Sequence, residues 1–326
     1  MRKTMKAWQF TNTNEPLVKN EVPEPVAGPG EVVLKMRAAG ICHSDVGVLT
    51  DEGWLSMLAK RPITLGHENA GEIIAVGEGV DGWAVGDRVG VCPTVPEVGV
   101  GAAASPGYGY DGGFAEQMAI NAHALVPLPD SLSYAQGAAA TDAGMTAHAA
   151  MITNGGVKAG DTVGVIGFGG LGQIGARIAV LTGAKVYVAE VNESVWDAAR
   201  EIGVTDVKKS IKDFEGVSFD VIVDYAGFGT TTADAVDVIR RDGTVVLVGM
   251  GKLESTINTM SLILNQCNLR GSNGGTKADI EGVYAFMASG DLNPKLTEIG
   301  FDEIADGIEQ LQAGKVQGRL VAVFGE

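Results

Sequence analysis

Hydrophobic and polar residues follow two different patterns along this chain of 326 residues. Up to about residue 130, short apolar runs lie between turns rich in glycine, proline and acidic residues, which is typical of β-strands. Examples are the runs Glu31 to Arg37, Ala70 to Val76 and Asp87 to Val91. The first part of the chain is therefore predicted to be an irregular all-β domain.

From about residue 145 the β-like runs alternate with helical segments. The run from Thr162 to Ile166 is rich in β-branched residues, as expected for a strand buried on both faces of a parallel sheet. The other predicted strands are Lys185 to Ala189, Phe219 to Asp224, Thr244 to Gly249 and Arg319 to Phe324, and the predicted helices are Gly172 to Thr182, Val195 to Ile202, Thr231 to Arg240, Ile280 to Ala288 and Ile304 to Gln312. The alternation predicts an α/β fold with a doubly wound parallel sheet.

The charge balance argues against nucleic acids and anionic membranes as binding partners. The chain has 24 Lys and Arg against 40 Asp and Glu, and its net charge of -16 repels nucleic-acid backbones and anionic membranes. No apolar run approaches the roughly 18 residues of a spanning helix, and the N-terminal residues do not resemble a signal peptide. Three cysteines are too few for a disulfide framework. We therefore expect a soluble cytoplasmic protein.

A glycine-rich turn follows the strand Thr162 to Ile166 and precedes a helix. Its sequence is Gly167-Phe168-Gly169-Gly170-Leu171-Gly172, the G-x-G-x-x-G pattern of dinucleotide-binding folds. Gly167 permits the tight turn, Gly169 lets the backbone approach a pyrophosphate, and Gly172 lets helix and strand pack closely. The alternative is a structural turn that binds nothing.

An acidic residue stands where this pattern requires one. Glu190 ends the next predicted strand, 18 residues after Gly172, where a carboxylate would accept hydrogen bonds from ribose hydroxyls. No Lys or Arg lies between Val186 and Ala199, so a 2′-phosphate would be repelled. The sequence therefore predicts NAD(H) rather than NADP(H).

Metal-binding side chains occur in two glycine-bounded turns. Cys42 offers a thiolate, His67 an imidazole and Glu68 a carboxylate, a combination that suits zinc. Spacing alone leaves other interpretations open, because Cys42 could be a small buried hydrophobic residue and His67 a hydrogen-bonded core histidine.

The motifs around these residues identify a family. The segment Gly66-His67-Glu68-Asn69-Ala70-Gly71, followed by Gly77 and Val80, resembles the signature of zinc-containing medium-chain alcohol dehydrogenases, and Cys42-His43-Ser44-Asp45 is similar to another motif of that family. The resemblance covers nearly the whole chain. It implies a GroES-like catalytic domain over residues 1–143 and 274–326, and a Rossmann cofactor domain over residues 144–273.

The resemblance also implies the metal ligands. Cys42 and His67 would be ligands, and Glu68 would be either a ligand or a nearby carboxylate that exchanges with water. Asp142 stands where many relatives have a cysteine, as in bacterial secondary-alcohol dehydrogenases, although it could instead cap a helix. The segment from Cys92 to Met118 has no further cysteine, so we expect one catalytic zinc and no structural zinc.

Proton transfer in the family begins at a hydroxyl two residues after the first ligand. This would be Ser44, which could alternatively be a turn-stabilising hydroxyl. Gly47 stands where many relatives have the outer histidine of the relay. The onward path would then involve His43, which we expect near the cofactor, or water.

The remaining family positions concern the cofactor and the substrate. Arg319 would face the pyrophosphate, unless it is simply a solvated charge, and Val248 and Ser272 lie in segments expected around the nicotinamide. Candidate walls of the substrate pocket, each of which could instead be a core residue, are Trp54, Met57, Pro93 and Tyr110.

The sequence thus predicts a zinc- and NAD-dependent alcohol dehydrogenase or carbonyl reductase. The resemblance favours secondary alcohols and ketones, with aldehydes as further substrates, and a homodimer or homotetramer assembled through the edge of the cofactor-domain sheet. The alternatives are a zinc-free quinone or enone reductase of the same superfamily, and a dinucleotide-binding protein without turnover.

Overall fold

In the computed structural model, which describes residues 3–325, the chain divides into two units. The first unit contains residues 3–143 and 276–325, and the second contains residues 144–275. The chain therefore leaves the first unit once and returns to it for its last segment.

The described residues form strands and α-helices that we number in chain order. The strands are β1 (Thr4–Phe10), β2 (Val18–Pro23), β3 (Glu31–Ile41), β4 (Ile63–Thr64), β5 (Glu68–Val76), β6 (Arg88–Val91), β7 (Gln117–Asn121), β8 (Leu125–Pro127), β9 (Thr162–Ile166), β10 (Lys185–Ala189), β11 (Asp206–Lys208), β12 (Phe219–Asp224), β13 (Ile239–Leu247), β14 (Asn268–Gly271), β15 (Leu296–Gly300) and β16 (Arg319–Val323). The α-helices are α1 (His43–Thr50), α2 (Tyr134–Ala139), α3 (Met145–His148), α4 (Gly170–Leu181), α5 (Trp196–Glu201), α6 (Thr230–Val238), α7 (Thr259–Asn265), α8 (Lys277–Ala288) and α9 (Ile304–Gln312).

Shorter helices connect several of these elements. The 3₁₀ turns are Glu52–Met57, Gly101–Ala104, Ala122–Ala124, Glu193–Val195, Ile211–Asp213 and Phe301–Glu303, and two π-helical segments are Ala140–Gly144 and Ala149–Asn154.

The first unit is built on two sheets. A seven-stranded sheet has the order β15-β16-β3-β5-β6-β8, with β7 also paired to β3, and a three-stranded sheet has the order β2-β1-β4. All of these pairings are antiparallel except the parallel pair of β15 and β16. The side chains of Phe10, Leu34, Met36 and Ile73 are almost entirely buried and contribute to the core of this unit.

The second unit contains a parallel sheet of six strands. Its order, β11-β10-β9-β12-β13-β14, places β9 next to both β10 and β12. This is the strand order of a Rossmann fold, in which ligands bind beyond the carboxyl ends of the strands where the order reverses. Phe219, Ile222 and Val245 lie in its core, with Phe214 packed edge-on against Phe219.

The predicted fold class is confirmed, and several predicted elements coincide with observed ones. The bounds of β9, β10, β12 and α9 agree with the prediction. The predicted helix Thr231 to Arg240 is too long, because Ile239 pairs with Phe219 and already belongs to β13. Within residues 3–325, no helix has both the length and the apolar character needed to cross a bilayer.

Candidate functional site

Four metal-binding side chains of the first unit converge on one point. One potential ligand atom from each of Cys42, His67, Glu68 and Asp142 lies within 4.8 Å of the corresponding atoms of the other three. These are the four residues predicted as ligands from the sequence. Cys42 and His67 lie in loops beside the seven-stranded sheet. Glu68 begins β5, and Asp142 belongs to the first π-helical segment.

The carboxylate of Asp45 lies between the two loops that carry the thiol and the imidazole. Cys42 lies between β3 and α1, and its backbone N–H donates to Asp45 Oδ2 at 2.9 Å. The other oxygen of the same buried carboxylate lies 3.6 Å from His67 Nδ1. A carboxylate beside one ring nitrogen fixes the orientation of a histidine and directs the other nitrogen to a metal. Sequence analysis did not assign this role to Asp45.

The second ring nitrogen of His67 faces the rest of the cluster. His67 Nε2 lies 3.5 Å from Asp142 Oδ2 and 3.2 Å from Ser44 Oγ. Burial opposes a charged imidazole, but Asp45 and Asp142 together raise the pKa of His67 well above its ordinary value. The electrostatic potential around this ring is therefore strongly negative, which favours a bound cation.

Glu68 reaches the cluster because the strand opposite it has no side chain. In the antiparallel pair of β3 and β5, Gly40 lies opposite Glu68, and a Cβ at Gly40 would overlap the carboxylate. Glu68 Oε1 accepts a hydrogen bond from Arg319 Nη2, whereas Oε2 is buried without a hydrogen-bond partner among residues 3–325. Burial raises the pKa of Glu68 to about 7, although Arg319 acts in the opposite direction.

Asp142 lies within a helical stretch and not at its beginning. It belongs to the π-helical segment Ala140–Gly144, which follows α2 directly, so the interpretation as a helix cap does not fit. Such π-helical segments are frequent at functional sites. Burial opposes ionisation of Asp142, but its hydrogen bond and charge interaction with His67 lower its pKa well below the ordinary value. Asp142 is therefore a carboxylate at neutral pH.

The donor set fits a zinc ion. It combines a thiol sulfur, an imidazole nitrogen and carboxylate oxygens, all of which are common ligands of zinc. Within the described part of the chain, Glu68 Oε2 is buried without a hydrogen-bond partner, and a metal would satisfy this oxygen. Cys42 is only half-buried and so is not a hidden core residue.

Gly47 leaves room for an aromatic ring. A Cβ at Gly47 would lie 2.7 Å from Cε2 of Trp54, whose half-buried indole is carried by the 3₁₀ turn Glu52–Met57. The position that holds the outer relay histidine in many relatives is therefore in contact with Trp54 here.

The other predicted pocket residues differ in their surroundings. Met57 is half-buried and Pro93 is buried. The hydroxyl of Tyr110 donates to the backbone oxygen of Ala104 at 3.1 Å, and its side chain lines a cavity of about 640 Å³ whose wall contains none of the four predicted metal ligands. Their contact with substrate stays a prediction.

Tyr108 lies against the cluster and was missed by the sequence analysis. Its ring centroid is 5.5 Å from that of His67, and its side chain is buried. Burial raises the pKa of the Tyr108 phenol well above its ordinary value. Nothing in the local sequence distinguishes Tyr108 from Tyr110, because the turn between them decides which ring faces His67.

The glycine-rich turn of the second unit has the predicted local geometry. Gly167 adopts a φ of 87°, and a Cβ at Gly172 would overlap the carbonyl oxygen of Gly167. A Cβ at Gly169 would meet no atom within 4 Å, so packing inside the protein does not require glycine there. The space above Gly169, just before α4, suits a phosphate group at a helix N-terminus. Gly170 and Leu171 begin α4.

Glu190 is tied to the same turn. Its Oε2 accepts a hydrogen bond from the backbone N–H of Phe168, and its Oε1 accepts one from Asn192, both at 2.7 Å. The carboxylate therefore lies beside the glycine-rich turn with lone pairs left for ribose hydroxyls. The neighbouring strand β11 ends at Lys208, and Lys209 follows it. Both lysines already have partners, because Lys209 pairs with Glu193 and Lys208 donates to the carbonyl of Asp213.

The remaining predicted cofactor residues occupy both units. In the second unit, Val248 follows β13 and donates its N–H to Asp224, and Ser272 accepts a hydrogen bond from Asn154 Nδ2 at 2.9 Å. In the first unit, His43 is exposed at the start of α1. Arg319 is 3% exposed, which excludes a solvated surface charge.

Comparisons with known proteins agree with both units. Residues 28–130 match the family model "Alcohol dehydrogenase GroES-like domain", and residues 170–289 match "Zinc-binding dehydrogenase". An alcohol dehydrogenase from Geobacillus stearothermophilus is 31% identical over 97% of this chain and 99% of its own, and one from Moraxella sp. is 30% identical over 97% and 98%. The solved structure of acetophenone reductase from Geotrichum candidum, in complex with NAD, superposes with a TM-score of 0.88 at 28% identity and covers 99% of this chain and 98% of that one. With these relatives matched over nearly its full length, the chain belongs to the zinc-containing medium-chain alcohol dehydrogenase family of oxidoreductases.

Proposed function

We propose that this protein is a zinc-dependent, NAD(H)-dependent dehydrogenase that interconverts secondary alcohols and ketones. The observation that carries the proposal is the convergence of Cys42, His67, Glu68 and Asp142 within one unit. A bound zinc would supply a Lewis acid that lowers the pKa of an alcohol oxygen, and NAD would supply the hydride acceptor. One zinc per chain is expected, held by these four side chains.

Ser44 is the proposed proton acceptor of the first unit. Its Oγ lies 3.2 Å from His67 Nε2, the ring nitrogen that faces the cluster. A hydroxyl at this position can accept the proton of an alcohol held beside His67 and pass on its own. Because residue 47 is a glycine, no histidine extends the relay from that position, and Trp54 lies against it instead.

Glu190 and the glycine-rich turn support the choice of cofactor. Gly169 leaves open space before α4, and Glu190 presents a carboxylate beside it. The acidic residue favours NAD(H) over NADP(H), because it would repel a 2′-phosphate. The Geotrichum candidum relative was solved with NAD, and its name describes a ketone reductase, which supports secondary alcohols as substrates.

The test combines metal analysis with kinetics. Zinc would be measured per chain, and turnover of a panel of primary and secondary alcohols would be followed with NAD and with NADP. The variants Cys42→Ala and His67→Ala are expected to lose zinc and turnover. The controls Cys267→Ala and His123→Ala should retain both, because Cys267 is a half-buried cysteine of the second unit and His123 is an exposed histidine. Full turnover by the first two variants would reject the zinc-dependent reaction and redirect the assays to enones and quinones.

The edge of the six-stranded sheet supports self-association. All four residues of β14 are exposed, and the nearby helix α7 exposes Met260, Ile263 and Leu264. Unpaired strand edges with apolar neighbours are typical subunit contacts. We propose a homodimer or homotetramer, which light scattering after gel filtration would detect and a monomeric mass would refute.

A further inference from the structure

Tyr108 presents a buried hydroxyl that the protein itself does not satisfy. Its side chain is 7% exposed, and its Oη has no hydrogen-bond partner among residues 3–325. Buried polar side chains in folded proteins are nearly always hydrogen-bonded, so an unpartnered hydroxyl calls for an explanation. The ring lies against His67, which places this hydroxyl beside the proposed metal cluster.

The backbone around Tyr108 holds the ring in this place. Gly107 has a φ of 80°, and a Cβ there would lie 2.9 Å from the backbone nitrogen of Gly66. On the other side, Gly113 donates its N–H to the carbonyl of Gly66 at 2.9 Å, and Ala59 donates to the carbonyl of Tyr108 at the same distance. The backbone of the loop is thus anchored beside the segment that carries His67.

The hydroxyl of Ser44 lies close enough to Tyr108 to influence its pKa, but it already has another role. In the proposed reaction it serves the reacting oxygen, beside His67 Nε2. A phenol with an ordinary pKa of about 10 is protonated at neutral pH and is a hydrogen-bond donor. The donor of Tyr108, beside His67 and Ser44, is therefore available for a different oxygen.

We propose that Tyr108 is a specificity-determining residue whose hydroxyl donates a hydrogen bond to a second oxygen of the substrate. The favoured substrates are vicinal diols and the matching α-hydroxyketones, in which this oxygen is bonded to the neighbouring carbon. This inference rests on the proposed function and deepens it. A site with a buried donor discriminates against analogues without the matching acceptor, because the donor then stays unpaired.

A matched pair of substrates tests the proposal. 2,3-Butanediol and 2-butanol differ by one hydroxyl at the neighbouring carbon, and both would be assayed with NAD and the zinc-loaded protein. Tyr108→Phe is expected to lower kcat/KM for the diol by about 10- to 100-fold, since one hydrogen bond is lost. The same variant should affect 2-butanol much less, so that the ratio of the two kcat/KM values falls by at least about fivefold.

Tyr284→Phe is the control. This phenol is also buried in the first unit, but its hydroxyl donates to the carbonyl of Gly137, so the variant should not change the ratio of the two substrates. The melting temperature separates a structural role from a substrate contact. Loss of the unpartnered hydroxyl of Tyr108 should leave it unchanged or raise it, whereas a structural hydrogen bond would lower it.

Two kinetic outcomes would overturn the proposal. An equal loss with both substrates would mean that Tyr108 acts at the reacting oxygen, and an unchanged diol reaction would mean that it contacts no substrate oxygen.

Binding provides a measurement independent of turnover, namely the affinities of acetoin and 2-butanone for the zinc-loaded protein with NADH. Acetoin should bind more tightly than 2-butanone to the wild type, and the two affinities should become similar in Tyr108→Phe. Equal affinities of the two ketones for the wild type would reject the role of Tyr108. Failure of the wild type to oxidise either alcohol would reject the proposed function instead.

Discussion

Arg319 Nη2 donates a hydrogen bond to Glu68 Oε1 inside the first unit, where the two side chains are 4% and 0% exposed. The two residues are 251 positions apart in the sequence. Arg319 also donates to the carbonyl of Ile41, the last residue of β3. A single guanidinium therefore connects the last strand, β16, with a predicted metal ligand and with the strand that leads to Cys42.

Replacing Arg319 by methionine should strongly destabilise the metal-free protein. At pH 8, above the pKa of about 7 of Glu68, the variant would leave the buried carboxylate without its cation, which costs about 3–5 kcal/mol for buried pairs. Urea denaturation would measure the change in the free energy of unfolding. The control is Arg240→Ala, which removes a partly exposed ion pair with Asp220 and should cost about 0–1 kcal/mol. Equal costs for the two variants would contradict the role given to the buried pair.

Asp45→Asn should weaken zinc binding without removing a predicted ligand. Asp45 accepts a hydrogen bond from the backbone of Cys42 and lies 3.6 Å from the ring nitrogen of His67, and loss of a carboxylate that supports metal ligands typically lowers metal affinity by about 10- to 100-fold. Competition with a chromogenic chelator would measure the affinity. Asp51→Asn is the matched control, because Asp51 is exposed and caps only the neighbouring 3₁₀ turn. If both variants bound zinc like the wild type, Asp45 would have no part in preparing the site.

Gly47→Ala should destabilise the protein through Trp54. The new Cβ would lie 2.7 Å from the indole, and overpacking of this kind costs about 1–3 kcal/mol. In a Trp54→Leu background the same substitution should cost much less, and a double-mutant cycle would measure the coupling. Gly325→Ala, where a Cβ meets no atom within 4 Å, serves as the reference. An undiminished cost in the Trp54→Leu background would show that the indole is not the obstacle.

Two glycines of the glycine-rich turn should respond differently to alanine. Gly172→Ala should lower the melting temperature, because its Cβ would overlap the Gly167 carbonyl. Gly169→Ala should fold normally, since the φ of -79° is open to alanine and the space is empty, yet it should weaken NADH binding by about tenfold or more. Thermal melts and NADH fluorescence titrations would separate the two effects. Unchanged NADH affinity in Gly169→Ala would place the pyrophosphate elsewhere.

The sequence by itself determined the local features of this protein. The strands β9, β10 and β12 were predictable because buried parallel strands are continuous apolar runs. The glycine-rich turn was predictable because only glycine tolerates a positive φ and the close contact between Gly167 and Gly172. Three predicted metal ligands, Cys42, His67 and Glu68, stand in motifs only a few residues long, whereas Asp142 was predicted from the family resemblance.

The tertiary structure decided how residues from distant segments meet. The pairing of Arg319 with Glu68 depends on β16 and β5 both lying beside β3, and strand order is not encoded in any local pattern. The position of Tyr108 against His67 depends on how one loop packs on Gly66, and the arrival of Lys208 and Lys209 near Glu190 depends on β11 lying beside β10. Local patterns report backbone preference and burial, whereas these contacts arise only when the sheets and loops pack together. For that reason the chemistry of the metal cluster was predictable from the sequence, and the hydroxyl proposed to select its substrate was not.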